Sequence, residues 1–252
     1  IADAFETAPG GNLFSYGSGL GHTQVSITRA QLAPEGVNGM VVTYRLHNGA
    51  HTPGRVKLEF LAQTDLHPVW FSQTAGVVDG ERDEGEWLPA EGVFVAKDCA
   101  HDWYAAIGAS LPPHGVLCGA RQGPQNTHHR GTAVSLFFEL TLAPGATETL
   151  AFYIAGSYTS REQCLCEYRL LAHGEGFEAA KAARYEKLLS ASRLTVPDER
   201  FAEIFDWVKV NTDWLIQDSG AYGRGLTAGI PEYPWWFGCD SFYALQGVLA
   251  MG

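Results

Sequence analysis

An alternation of apolar and polar residues with a period of two runs through the chain from Gly11 to about Ser157. In GMVVTYRLHN, residues 39–48, and in RVKLEFLAQ, residues 55–63, apolar side chains occupy nearly every second position. Successive side chains of a β-strand point to opposite faces, so this pattern is typical of strands with one buried face. It predicts half-buried antiparallel strands and constrains the fold more than any other feature.

Further strand-like segments are separated by turn sequences such as LPPHG and LAPGAT. These segments are TQVSITRAQL, GVFVAKD, DWYAAIGAS, TAVSLFFELTL and ETLAFYIAGS. A doubly wound α/β sheet needs helices between its strands, and no amphipathic helical segment of useful length precedes Ser160. We therefore predict an antiparallel, supersandwich-like β-sandwich domain over residues 1–158.

The chain changes character at Ser160. Residues 161–194 are rich in Ala, Glu, Lys and Leu, which favour helix, and Gly174 and Gly176 indicate a break between two helices. We predict a helical linker over residues 159–196.

A further helix is predicted after Pro197, with Asp198 as its N-cap. Its apolar residues recur at steps of three and four, which predicts one buried stripe made of Phe201, Ile204, Phe205, Val208, Thr212 and Leu215. The segment from Ser241 predicts another helix, apolar around much of its circumference, which further helices would normally cover. We therefore expect the chain to be a piece of a longer protein, with residues 197–252 at the start of a helical domain.

The charge balance restricts the partners. Acidic residues outnumber basic ones by 28 to 17, for a net charge of −11, and no basic run occurs. This argues against nucleic acid and anionic membranes, and a neutral ligand is easier to accommodate. No apolar run approaches a membrane span and no signal peptide is visible. Five cysteines, an odd number, and the lack of an N-x-S/T sequon favour the cytoplasm.

Three short motifs have simpler explanations than a functional site. His128 and His129 are adjacent, so in a strand they would point to opposite sides and could not chelate one metal ion. Cys164 and Cys166 have no second Cys or His cluster nearby to complete a zinc site. The glycine-rich GSGLGH, residues 17–22, precedes a strand and not the helix that a dinucleotide site requires. We expect no metal site and no cofactor.

The segment AGIPEYPWWFGCDSF, residues 228–242, is the candidate binding site. It places four aromatic residues beside one carboxylate, and its prolines exclude regular helix or a central strand. The residues are Tyr233, Trp235, Trp236, Phe237 and Asp240. A carboxylate accepts strong hydrogen bonds from sugar hydroxyls, while aromatic rings cover the apolar face of a pyranose. Two simpler interpretations stay open: Asp240 as the N-cap of a helix starting at Ser241, and Trp235 as a core residue.

The order of these segments resembles the bacterial glycogen debranching, or amylo-α-1,6-glucosidase, family of glycoside hydrolases. The resemblance rests on LEFLAQTDLHPVWF and LTLAPGATETLAFYIAG in the β region, then VPDERFAEIFDWVKVNTDWL and AGIPEYPWWFGCDS. It implies an N-terminal β-sandwich, linker helices and the first helical hairpin of an (α/α)6 barrel. It also implies an oligosaccharide or polysaccharide substrate with α-glucosidic bonds, hydrolysed by inversion.

The same resemblance assigns the site residues. In the family this loop lines the subsite of the non-reducing-end sugar, which implies that Asp240 binds sugar hydroxyls and that Trp236 and Phe237 shape or stack on the ring. Cys239 stands where the family commonly has arginine, so the substrate preference of close relatives transfers less directly.

The general acid and base of the family are carboxylates of later barrel loops, so we name no catalytic residue in this chain. Inversion requires an acid and a base about 6.5–9.5 Å apart. Asp79, Asp83 and Glu84 are acidic enough to suggest such a pair, but a solvated turn explains them better. Two alternatives remain: a non-catalytic carbohydrate-binding sandwich module, and a six-hairpin glycosidase for another sugar, trehalase-like or mannoside-processing.

Overall fold

The computed structural model describes residues 2–17, 24–69, 72–80, 82–119, 130–230 and 233–251. His128, His129 and all of GSGLGH except Gly17 lie outside these ranges. The chain divides into two units. The first unit holds Ile1–His67 and Val78–Glu178, and the second holds Pro68–Val77 and Ala179–Gly252.

The strands of the first unit, within the described ranges, alternate with short turns and precede one helix. They are β1 (Ala4–Ala8), β2 (Gly11–Tyr16), β3 (Val25–Leu32), β4 (Gly39–Asn48), β5 (Gly54–Thr64), β6 (Asp83–Leu88), β7 (Val93–Asp98), β8 (Tyr104–Ala109), β9 (Gly115–Gly119), β10 (Thr132–Leu142) and β11 (Thr147–Ser157), followed by helix α1 (Arg161–His173). Within the described ranges, eight strands form one antiparallel sheet in the order β1-β2-β3-β4-β11-β8-β7-β6, and three form another in the order β5-β10-β9.

The two sheets pack face to face, because each presents the apolar side of its alternating strands. Phe60 of β5 stacks on Phe152 of β11, with ring centroids 3.8 Å apart, and so joins the small sheet to the large one. Phe94, Leu136 and Phe138 are fully buried around this pair. The predicted β-sandwich is therefore confirmed.

Helix α1 covers part of the outer face of the larger sheet. Its N-cap is Ser160, whose hydroxyl accepts a hydrogen bond from the N–H of Gln163. Its buried Cys164, Leu165, Tyr168 and Leu171 pack against apolar residues of β7, β8 and β11. The predicted break is also confirmed, since α1 ends at His173 and the next helix begins at Phe177.

The second unit is mainly helical. It contains most of α2 (Phe177–Ala191), all of α3 (Glu199–Trp214) and α4 (Gly238–Met251), and the short strands β12 (Ile216–Asp218) and β13 (Arg224–Leu226). Short 3-10 turns lie at Ser72–Ala75 and Gly220–Tyr222. As predicted, Asp198 caps α3, accepting a hydrogen bond from the N–H of Arg200 at 3.0 Å.

Polar contacts join α2 to α3. Arg184 pairs with the carboxylate of Asp213 at 2.7 Å, and the indole N–H of Trp214 donates to the hydroxyl of Tyr185 at 2.7 Å. The buried Lys209 donates to two carbonyl groups at the end of α2, those of Leu189 and Ser192. A cation at a helix C-terminus also compensates the helix dipole, so Lys209 of α3 stabilises the end of α2.

Two local predictions are wrong. The stripe of α3 expected to be buried is largely open, with Phe201 and Ile204 both 58% exposed and Val208 exposed, because the buried side of α3 carries Lys209 and Val210 instead. Asp83 and Glu84, interpreted as part of a solvated turn, instead begin strand β6, because β7 supplies hydrogen-bonding partners along the whole length of that strand. Among the described residues, no helix combines the length and apolar character that crossing a bilayer requires.

Candidate functional site

The candidate site begins with a tight hairpin after α3. Strands β12 and β13 pair in antiparallel register, with Ile216 opposite Leu226. The N–H and the hydroxyl of Thr227 both donate to the carbonyl of Leu215, at 2.9 and 3.0 Å. Leu226 and Thr227 are both buried. The loop that follows therefore begins at a residue, Thr227, that is buried and hydrogen-bonded to the end of α3.

The loop folds back on itself through main-chain hydrogen bonds. Gly229 and Tyr233 exchange two of them, at 3.0 and 2.7 Å, and the N–H of Ala228 donates to the carbonyl of Trp235 at 3.2 Å. The far end is anchored by Ser241, whose hydroxyl donates to the carbonyl of Leu226 at 2.8 Å. These bonds close the loop and bring its aromatic residues beside β13.

The predicted aromatic residues lie together on this loop. Tyr233 and Phe237 meet with ring centroids 6.5 Å apart and planes inclined by 67°. The indole of Trp236 lies over Gly225 of β13, where a Cβ would be 2.5 Å from its Cε2 atom. Tyr233 is 51% and Trp236 is 42% exposed, whereas Trp235 is half-buried. Three of the four rings therefore present surface to solvent.

Asp240 is exposed and lies inside the first turn of α4, which begins at Gly238. The helix predicted to start at Ser241 therefore starts three residues earlier, and Asp240 does not occupy its N-cap position. The helix starts early because the N–H of Ser241 already donates to the carbonyl of Phe237, at 2.9 Å. A carboxylate in the first turn still favours the helix through its dipole, by about 0.3–1 kcal/mol.

The acidic residues of the first unit make structural contacts. Asp79 pairs with Arg130 at 2.6 Å, and Glu84 pairs with Arg82 at 2.9 Å. Asp83 accepts a hydrogen bond from the N–H of Leu66 at 2.8 Å, and burial raises its pKa to about 6. Nearby carboxylates add to this increase in pKa.

The cysteines and potential metal ligands are dispersed. Cys164 is buried in α1, where burial raises the pKa of its thiol to about 12, while Cys166 is exposed. Among the described residues, no group of three His, Cys, Asp or Glu side chains is placed to hold a metal ion.

The sequence did not predict which residues hold the loop in place. Gly225 accommodates Trp236, and Thr227 and Ser241 hold the two ends. A glycine next to an aromatic-rich segment was the one available signal, because the other contacts depend on how the loop folds back.

No protein family model and no curated protein matches the chain by sequence. Solved structures do match by shape. A candidate kojibiose phosphorylase from the human microbiome has a TM-score of 0.61 at 10% identity, covering 86% of this chain and 28% of that structure. These likenesses show the fold alone.

A second similar structure is a bacterial glucoamylase in complex with acarbose. Its TM-score is 0.51 at 10% identity, and the match covers 85% of this chain and 32% of the glucoamylase. The chain thus spans about a third or less of the length of both structures.

Proposed function

We propose that the chain is the N-terminal portion of a glycoside hydrolase that acts on α-glucosidic oligosaccharides or polysaccharides by inversion, glycogen-debranching or glucoamylase-like. The observation that carries this proposal is the likeness of fold to the phosphorylase and glucoamylase structures, which covers 86% and 85% of the chain. The first unit alone is too short to account for that coverage. One of the structures described above is a bacterial glucoamylase in complex with acarbose. A carbohydrate ligand is the class that best fits the exposed aromatic loop.

In this proposal the loop lines one end of a sugar subsite. Asp240 accepts hydrogen bonds from sugar hydroxyls, and Trp236 and Phe237 contact the ring face, with Tyr233 and Trp235 at the margin. The loop is held on both sides by hydrogen bonds to the β12–β13 hairpin, so the aromatic surface is pre-organised before a ligand arrives. We assign no general acid or base to this chain.

The open apolar faces of the helices support a larger helical domain. Phe201 and Ile204 of α3 and Phe242 and Leu249 of α4 are exposed, although such side chains normally lie within a core. Residues 197–252 are therefore proposed as the start of an (α/α)6 barrel, with residues 1–158 as the sandwich domain and 159–196 as the linker. In the full protein, neighbouring helices would cover these faces.

The test is made with the protein encoded by the complete reading frame. Purified protein is incubated with maltooligosaccharides, glycogen, trehalose and mannosides, and released sugars are measured with and without inorganic phosphate. Hydrolysis of α-glucosides without phosphate, with products of inverted anomeric configuration, supports the proposal. Release that requires phosphate, or that occurs with trehalose or mannosides alone, contradicts the proposed reaction or substrate.

The same protein tests the loop through Asp240→Asn. We expect kcat/KM to fall by a factor of about 100 or more, because a site that binds hydroxyls with a carboxylate loses charge-assisted hydrogen bonds. Glu203→Gln, which changes an exposed carboxylate of α3, is the matched control and should keep full activity. Equal activity of both variants would remove Asp240 from the site.

A second candidate is a non-catalytic carbohydrate-binding module. It is favoured by one observation: the first unit has its own closed core between two sheets and a further apolar cluster under α1. Activity of the full protein separates the two. A full protein that binds maltooligosaccharides but releases sugar from none of the substrates supports the module, whereas hydrolysis supports the enzyme.

A further inference from the structure

A groove lies on the outer face of the larger sheet, over β6, β7 and β8 and beside the first residue of α1. Its volume is about 460 Å³, within the range of about 300–1,000 Å³ typical of ligand pockets. It is lined by Glu84, Glu86, Val95, Lys97, Tyr104 and Arg161. We call it the β6–β8 groove, and all of these residues belong to the first unit.

Strand register explains why these side chains meet. Glu84 lies opposite Lys97, and Lys97 lies opposite Tyr104, so the three side chains form one row across three strands. Glu86 and Val95 form the next row. Regular elements supply the lining, which fixes the positions of its functional groups better than loops would.

The charges of the groove balance. Two carboxylates, Glu84 and Glu86, face two cations, Lys97 and Arg161. Arg161 is paired with Glu86, and Lys97 lies 4.0 Å from the carboxylate of Asp102. A free anion or cation would have to compete with these pairs, whereas a neutral ligand with many hydroxyl groups can use the donors and acceptors together.

The groove also has an apolar part. Val95 is buried at its base, and Tyr104 is half-buried, with Lys97 Nζ 5.7 Å from the centre of its ring. The Tyr104 hydroxyl donates to Asp102 at 3.3 Å, which holds the phenol in place. A ring beside charged hydrogen-bonding groups suits a pyranose, which has an apolar C–H face and a rim of hydroxyls.

We propose that the β6–β8 groove binds a neutral oligosaccharide, as a second saccharide site separate from the loop of residues 228–242. The site binds sugar without taking part in bond cleavage, because its acids are paired with cations on an exposed surface. The choice of an α-glucan as the probe rests on the proposed function. The groove itself is inferred from its own residues.

Calorimetric titration of the 252-residue chain with maltoheptaose tests the proposal, with inorganic phosphate as the probe for an anion site. We expect maltoheptaose to bind and phosphate not to bind. Tyr104→Ala should weaken binding about fivefold or more, and Tyr104→Phe should change it less than about twofold, because the ring is kept. Glu84→Gln, at an exposed position, should weaken binding about threefold.

Asp240→Asn separates this site from the loop. If binding falls with Tyr104→Ala and Glu84→Gln but not with Asp240→Asn, the groove is supported even if the proposed hydrolase activity is never found. If Asp240→Asn abolishes binding and the two groove variants do not, the groove proposal is wrong and the loop proposal survives. Binding of phosphate in place of maltoheptaose, or no binding of either, also overturns the groove proposal.

Discussion

The indole of Trp236 lies directly over Gly225, so that a methyl group added at Gly225 would be 2.5 Å from Cε2 and 2.8 Å from Nε1 of the ring. Atoms that are not bonded do not approach so closely. The backbone of Gly225 does not itself require glycine, since no positive φ angle is found there. The close approach of the ring is therefore the constraint at this position.

Gly225→Ala should displace Trp236 and disturb the aromatic loop. We expect a change in tryptophan fluorescence, and a loss of activity in the full protein comparable to that of Trp236→Ala. Gly229→Ala is the control in the same loop, because its Cβ would lie 3.8 Å from Tyr233, an ordinary contact distance. If both variants have the fluorescence of the wild type, Trp236 is not held by Gly225.

The hydrogen bonds of the buried Lys209 should contribute to the free energy of unfolding. Lys209→Met keeps most of the length of the side chain but leaves the carbonyls of Leu189 and Ser192 without their donor. We expect a loss of about 1–3 kcal/mol in the free energy of unfolding, measured by urea denaturation. Lys187→Met, at an exposed position of α2, should change it by less than about 0.5 kcal/mol. Equal stability of the two variants would contradict a capping role for Lys209.

The sequence predicts the strands that alternate, and it misses those formed by pairing alone. Strands β4 and β5 follow the expected period, because each has one face against the core. Strand β1 is exposed along its whole length and β6 is largely polar, so neither has an apolar pattern. Both lie at an edge of the larger sheet and are fixed by hydrogen bonds to one neighbour. That information lies in the partner strand, not in the segment itself.

In the candidate site, too, local sequence predicts some features, and contacts with other segments determine the rest. Local sequence identified the aromatic residues and Asp240, because an acid among aromatic residues after two prolines is unusual. It did not predict that Trp236 would lie over Gly225, eleven positions earlier in the chain, or that Ser241 would bond to Leu226. Such contacts follow from the path of the loop, which no local pattern encodes.

The pH dependence of stability should show the effect of Asp83. Burial and the nearby Asp65, Asp98 and Asp79 raise its pKa from 3.8 to about 6 in the folded protein. Because the folded pKa is the higher one, protonated Asp83 contributes stability below about pH 4, and this contribution is lost as the pH rises through 6. Asp83→Asn keeps an acceptor for Leu66 and removes the titration.

We therefore expect Asp83→Asn to be more stable than the wild type at pH 7.5, by about 1 kcal/mol after allowing for solvent screening, and nearly equal to it at pH 4. Urea denaturation at pH 4, 6 and 7.5 measures the difference. Other groups face this carboxylate region: Arg130 pairs with Asp79, His101 bonds to Asp98, and His67 lies near Asp65. Glu84→Gln, an exposed neighbour in β6, controls for the general loss of negative charge. A difference that does not change with pH would exclude Asp83 as the titrating group.

The hydrogen bond between Trp214 and Tyr185 should couple α3 to α2. The indole N–H donates to the phenol oxygen at 2.7 Å, and Tyr185 is buried. Trp214→Phe leaves the hydroxyl of a buried residue without its donor, whereas Tyr185→Phe leaves without its acceptor the N–H of Trp214, a residue that is 42% exposed. We expect Trp214→Phe to cost more stability than Tyr185→Phe.

A double-mutant cycle isolates this bond from the packing that each substitution also changes. The double variant should be more stable than the sum of the two single losses predicts, with a coupling energy of about 1 kcal/mol. Urea denaturation of the four proteins at one pH gives the value. Additive losses would mean that the two side chains stabilise the helix pair by packing alone, and that Arg184 with Asp213 and Lys209 supply the polar contacts between α2 and α3.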